Sequence, residues 1–122
     1  MAELYLDNDR VVLDLDDSEP RREVLFSVET ADWCANGLDE LGGKAAICLL
    51  PGNRDRAPSI EVDAIVSSGK AMVRLRFGWA ARRYYLTSQC AIYLATWLRM
   101  AARKAEEMLT WAELRDPEVL VH

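Results

Sequence analysis

The chain has 122 residues, 51% hydrophobic and 29% charged, with six glycines and four prolines. That length predicts one domain able to bury a core without disulfide staples, and that composition excludes a disordered or low-complexity chain. The net charge of −5 argues against a general nucleic-acid binder, because an acidic chain repels a phosphate backbone at long range.

The chain opens on two alternating runs, "ELYL" and "VVLDLDD", joined by Asp7-Asn8-Asp9-Arg10. The period of two puts Leu4 and Leu6 on one face with Val11, Leu13 and Leu15, and sends Glu3, Tyr5, Asp14 and Asp16 to the other, so a hairpin with one buried face is expected. No basic start followed by an apolar stretch precedes it, and no signal peptide is expected. After a loop at "SEPRR", "EVLFSVE" reads as a third strand. "TADWCANGLDELGG" predicts a short helix with Thr30 as N-cap and Gly42-Gly43 as its stop. "KAAICLL", residues 44–50, reads as a strand buried on both faces, and "PGNRDRAPS" as a polar loop.

"IEVDAIV" and "KAMVRLRF" flank Ser67-Ser68-Gly69, a hairpin signal. In the second run Ala71, Val73, Leu75 and Phe77 face inward, with Lys70, Met72, Arg74 and Arg76 facing out. Gly78 to Ala81 is expected to turn the chain, and "RRYYL" to return as a further strand. "TSQCAIYLATWLRMAARKAEEML" is a helix capped by Thr87, with an apolar stripe from Ala91 through Leu94, Leu98 and Ala102 to Leu109. The expected fold class is therefore α+β: a mainly antiparallel sheet in the order β-β-β-α-β-β-β-β-α, with a long Ala-rich C-terminal helix packed on one face.

The charge is unevenly spread. Residues 1–43 carry twelve acids against three arginines, residues 44–104 eleven bases against three acids, and residues 105–122 five acids against one arginine. Twelve of the fifteen bases are arginine, whose planar fork suits carboxylates, phosphates and aromatic faces.

Four chemistries can be weighed on spacing alone. "GLDELGGK" fails the phosphate-loop pattern, since Gly43 stands where Lys is required. The Asp-rich runs at 7–17 lack the Gly and Glu positions of a calcium loop, so a solvated acidic face is favoured over a metal site. Cys34, Cys48 and Cys90 match no zinc or redox spacing and suit a reducing, cytoplasmic compartment. Cys90 falls in the first turn of the last helix, but the sole histidine, His122, ends the chain and leaves it no base. No catalytic constellation stands out, and no cofactor or metal is expected.

Two surfaces remain as candidates for binding. One is an Arg-rich hairpin over 70–86, with Arg82 or Arg83 across from Arg74 and Arg76, and Trp79 at its turn. Its charges call for carboxylates of this chain or of a partner protein, which are favoured over phosphates. The other is Tyr93, Trp97 and Met100, which lie off the apolar stripe of the last helix. Either the tail, through Trp111, Leu114, Val119 and Leu120, folds back over them, or they anchor an interface. The expected function is a small soluble non-enzymatic interaction protein of inhibitor, immunity, phage-accessory or adaptor type, with another protein or a second copy (a homodimer) as partner and no membrane. The alternative is a nucleic-acid or nucleotide binder using the Arg-rich hairpin.

Overall fold

A computed structural model describes residues 2–15, 19–47 and 59–115. Its elements are β1 (Glu3–Asp7), β2 (Arg10–Asp14), β3 (Arg21–Ser27), α1 (Val28–Ile47), β4 (Ile60–Ser67), β5 (Lys70–Ala81), β6 (Arg83–Leu86) and α2 (Ser88–Arg115). The fold is α+β, with two antiparallel three-stranded sheets: β1-β2-β6, here the first sheet, and β3-β5-β4, the second.

The turns follow from residues that tolerate a left-handed backbone. Asn8 adopts φ 56° between β1 and β2, and Ser68-Gly69 adopt φ 53° and 73° between β4 and β5. In the turn between β4 and β5, positive φ at both central residues matches the right-handed strand twist, and Gly69 takes it without strain. The alternation in "ELYL" and "VVLD" places Leu4, Leu6, Val11 and Leu13 inward as expected. Val12 is also fully buried, on the outer face. Its cross-strand neighbours are Tyr5 and Tyr85, which flank it on that face.

Helix α1 is longer than its sequence suggested. Ser27, not Thr30, caps it: the Thr30 backbone N–H donates to Ser27 Oγ at 3.1 Å. The helix runs through Gly42-Gly43 to Ile47, so residues 44–47 are helical where a strand was expected; residues 48–50 lie outside the described chain. The reason is a period that continues past the glycines. Ala31, Cys34, Ala35, Leu38 and Ala45 are all fully buried and recur at helical spacing. Gly42 marks a close helix crossing rather than a helix end. A Cβ there would meet Ile92 Cγ1 at 3.0 Å and the Ser88 carbonyl at 3.2 Å. Ser88 Oγ donates to the Gly42 carbonyl at 2.5 Å across the same crossing.

Helix α2 begins as expected, with the Cys90 N–H donating to Thr87 Oγ1 at 3.1 Å. It packs antiparallel to α1, which Gly42–Ser88 fixes at one end and Arg103–Asp32 at the other. Arg99 links the same two helices midway, donating to Asp39 and, at 2.8 Å, to Asn36 Oδ1. The core lies between this helix pair and the inner sheet faces, where Leu38, Leu94 and Leu98 meet Val73, Leu75 and Phe77. Each such side chain contributes roughly 1.5–3 kcal/mol of burial. No helix among the described residues is long and apolar enough to cross a membrane.

The other departure lies at the end of β5. Residues 78–81 continue the strand instead of turning, but the register against β3 slips: Glu23 faces Arg76 while Arg21 faces Ala81. Such a bulge frees backbone groups from the ladder. The Tyr84 hydroxyl takes them up, accepting from the Ala81 N–H at 3.0 Å and donating to the Arg21 carbonyl at 2.5 Å, with the Trp79 carbonyl also at 3.0 Å. Its ring stacks on Phe77 with centroids 3.8 Å apart.

Candidate interaction surface

Arg74 and Arg76 alternate on the outer face of β5, as the period of two requires. The antiparallel register sets Asp63 and Glu61 of β4 beside them, and Glu23 of β3 beside Arg76. The resulting contacts are Arg74 Nη2–Asp63 at 3.2 Å, Arg76 Nη2–Asp63 at 2.9 Å and Arg76 Nη2–Glu61 at 3.2 Å. Arg74 Nε also lies 3.7 Å from Glu23. Two arginines thus face three carboxylates, and the patch carries no positive excess.

Arg82 and Arg83 do not join them. Strand β6 pairs with β2 in the first sheet, while β5 belongs to the second, so residues 70–86 form no single basic hairpin. The bulge redirects the chain after Ala81, and β2 offers the free edge onto which Tyr84 and Leu86 bring their apolar faces. Arg83 Nε donates to Asp14 Oδ2 at 2.9 Å, and Arg82 Nε stands 3.7 Å from Asp14 Oδ1. The hydrogen bond to Asp14 raises the already high pKa of Arg83. Asp14, read from the sequence as solvated, is buried beneath this pair. Trp79 is exposed on the bulge, with its carbonyl at the Tyr84 hydroxyl.

Helix α2 does bring its predicted residues together. Tyr93, Trp97 and Met100 share one face, and the Tyr93 and Trp97 rings lie 6.4 Å apart at 17°. Trp111 and Leu114 belong to this face too. They stand in the last turns of α2 instead of folding back, while Val119 and Leu120 lie outside the described chain. These five side chains keep between 48% and 64% of their surface exposed. The sequence carried the signal, because the steps of three and four that link Tyr93, Trp97 and Met100 continue to Trp111 and Leu114. The face lies opposite the buried stripe of Leu94, Leu98, Ala102 and Ala105, so α2 is apolar on two sides.

Beside this face lies an open groove of about 700 Å³, walled by Trp97, Met100, Lys104 and Glu107 of α2 and by Val62, Asp63 and Ala64 of β4, so that charged groups rim its apolar floor. A second exposed aromatic that the sequence did not single out, Trp33 of α1, borders a smaller hollow with Ala2 and Thr30.

The thiols are placed for packing. Burial pushes Cys34 up to about 12 and raises Cys90 as well, the opposite of what nucleophile activation needs. Among the described residues no cluster of three or more His, Cys, Asp or Glu side chains is arranged to hold a metal ion. No protein-family model, curated protein or solved structure matches this chain, so what it does must be argued from these surfaces alone.

Proposed function

We propose that the chain is a small non-enzymatic interaction module that docks on a protein partner through the exposed face of α2, acting by occlusion in the manner of an inhibitor, immunity, phage-accessory or adaptor protein. One observation carries this reading: a helix whose buried stripe already satisfies the core presents a second apolar row to solvent. Large aromatics and Met on a surface helix cost solvation, and they are the residue types enriched at interface hot spots. The arginines support the same reading. Arg74, Arg76, Arg82 and Arg83 each meet a carboxylate of this chain, which leaves little free positive charge for phosphates and weakens the nucleic-acid alternative. The free thiols of Cys34 and Cys90 suit a reducing, cytoplasmic setting.

The test is a photo-cross-linking residue placed at Met100, and separately at Arg74, in cells producing the protein. Discrete protein adducts are expected from position 100 and not from position 74. Absence of adducts at 100, together with oligonucleotide binding that weakens steeply with salt and is lost in Arg74→Glu/Arg76→Glu, would replace this reading with the alternative.

A further inference from the structure

We infer that the partner of this face is a second copy of the chain, paired antiparallel along α2 so that Lys104 of each copy meets Glu107 of the other. The inference rests on the docking role proposed for α2 and adds who docks there and in which register. The exposed row follows a strict alternation of four and three steps. Tyr93, Trp97 and Met100 are followed by Lys104 and Glu107, and then by Trp111 and Leu114. Seven-residue periodicity sustained over three heptads is the spacing of a two-helix seam, in which a and d side chains insert into the facing helix. The seam from Trp97 to Leu114 is about 26 Å long at 1.5 Å per residue.

Its two central positions, Lys104 and Glu107, are charged, and this decides orientation. Among the described residues neither forms an ion pair within its own chain, although Arg103 and Glu106, their immediate neighbours, pair with each other at 2.7 Å. In a parallel pair Lys104 would oppose Lys104 and Glu107 would oppose Glu107. In an antiparallel pair centred between residues 105 and 106, Lys104 opposes Glu107 twice. The same register sets Met100 against Trp111 and Trp97 against Leu114, also twice. Every layer between Trp97 and Leu114 is then matched, apolar on apolar and base on acid, by one two-fold axis, and Tyr93 lies beyond the paired segment. A polar central layer of this kind fixes register and orientation at some cost in stability. The groove between α2 and β4 lies against Met100 and Trp97, where it receives the bulk of Trp111 and Leu114 from the second copy.

Sedimentation equilibrium on the full chain tests this, with circular dichroism melts as the folding control, since Lys104 and Glu107 are exposed. The wild type is expected to dimerise. Lys104→Glu and Glu107→Lys, each alone, set like charges together in both central layers and should raise the dimer Kd by about tenfold or more, which corresponds to about 1.4 kcal/mol. The double exchange Lys104→Glu/Glu107→Lys should return the dimer, and an equimolar mixture of the two single variants should form a mixed dimer tighter than either alone. Single variants that dimerise like the wild type would overturn the antiparallel register, because a parallel pair only trades one like-charge layer for another. A wild type that stays monomeric to about 100 µM overturns self-association. In that case a foreign adduct at position 100 keeps the interaction role standing, and no adduct removes both.

Discussion

Replacing Tyr84 with Phe isolates one hydroxyl on which the bulge in β5 depends. The ring would stay stacked on Phe77, so no cavity opens and no apolar burial is lost. What disappears is the acceptor for the Ala81 N–H and the donor to the Arg21 carbonyl. At about 1 kcal/mol net per bond the loss comes to about 2 kcal/mol. With an unfolding entropy of about 2.1 cal/mol/K per residue, a chain of this length has about 0.26 kcal/mol/K, so Tm should fall by about 8 °C. Thermal melts by circular dichroism, with urea melts showing an unchanged slope, would measure it. The alkaline limb adds a second readout. Burial raises the Tyr84 phenol above its usual 10, so the folded state favours the protonated form. Its contribution is fully present below pH 10 and is lost as pH rises through the folded-state value, so wild type and Tyr84→Phe should converge in stability there. A Tm within about 2 °C of wild type at neutral pH, half the shift of about 4 °C expected from the loss of even one bond, would refute the assignment of the bulge to this hydroxyl.

The paired glycines of α1 should respond in opposite directions. Gly43→Ala meets nothing within 4 Å and should stabilise by about 0.5–1 kcal/mol through helix propensity, whereas Gly42→Ala drives a Cβ toward the Ser88 carbonyl and should forfeit that gain or worsen it; urea midpoints decide. The Cys34 thiol, fully buried and held protonated, should resist iodoacetamide at pH 8 and react only on unfolding. Mass spectrometry of the labelled peptide reads this directly, and labelling in the native state would contradict the burial. Measured below the concentration at which copies pair, Trp97→Ala should cost no more than about 1.5 kcal/mol, because half the side chain is already solvated. A large destabilisation would make Trp97 a structural residue and not an anchor.

Strands and the C-terminal helix were legible wherever a local period decided them. "VRLRF" alternates and does so in β5, and the Thr87 cap with its Ala-rich stripe produced α2. What misled was chemistry whose meaning depends on distant chain. Gly42-Gly43 carries a stop signal, yet Gly42 is set by the passage of α2 at Ser88, a contact no local window contains. Likewise "RRYYL" follows β5 so closely that a hairpin is the economical reading. Its partner is β2 instead, because Leu13 and Val11 present a free edge and the Tyr84 hydroxyl repairs the bulge that releases the chain. The arginines meet carboxylates of this chain, while the grouping expected of them depends on this misplaced strand. On α2, Trp111 and Leu114 belong to the helix and not to a tail, and their spacing continues the row of Tyr93, Trp97 and Met100.

The pairing of β2 with β6 also orders events in time. Asp14 and Arg83, neighbours in the first sheet, are 69 residues apart along the chain. During synthesis the N-terminal hairpin emerges early and cannot complete its sheet until β6 has been made. Until then Val11 and Leu13 have neither their third strand nor α2 above them. A two-stranded ribbon is only marginally stable in water, so this hairpin waits as an open edge while β3, α1, β4 and β5 are translated. Closing so long a loop costs chain entropy before its contacts form, and pairings of this separation slow folding in general. Asp7 and Asp14 give that ribbon the kind of charge that blunts pairing between exposed strand edges.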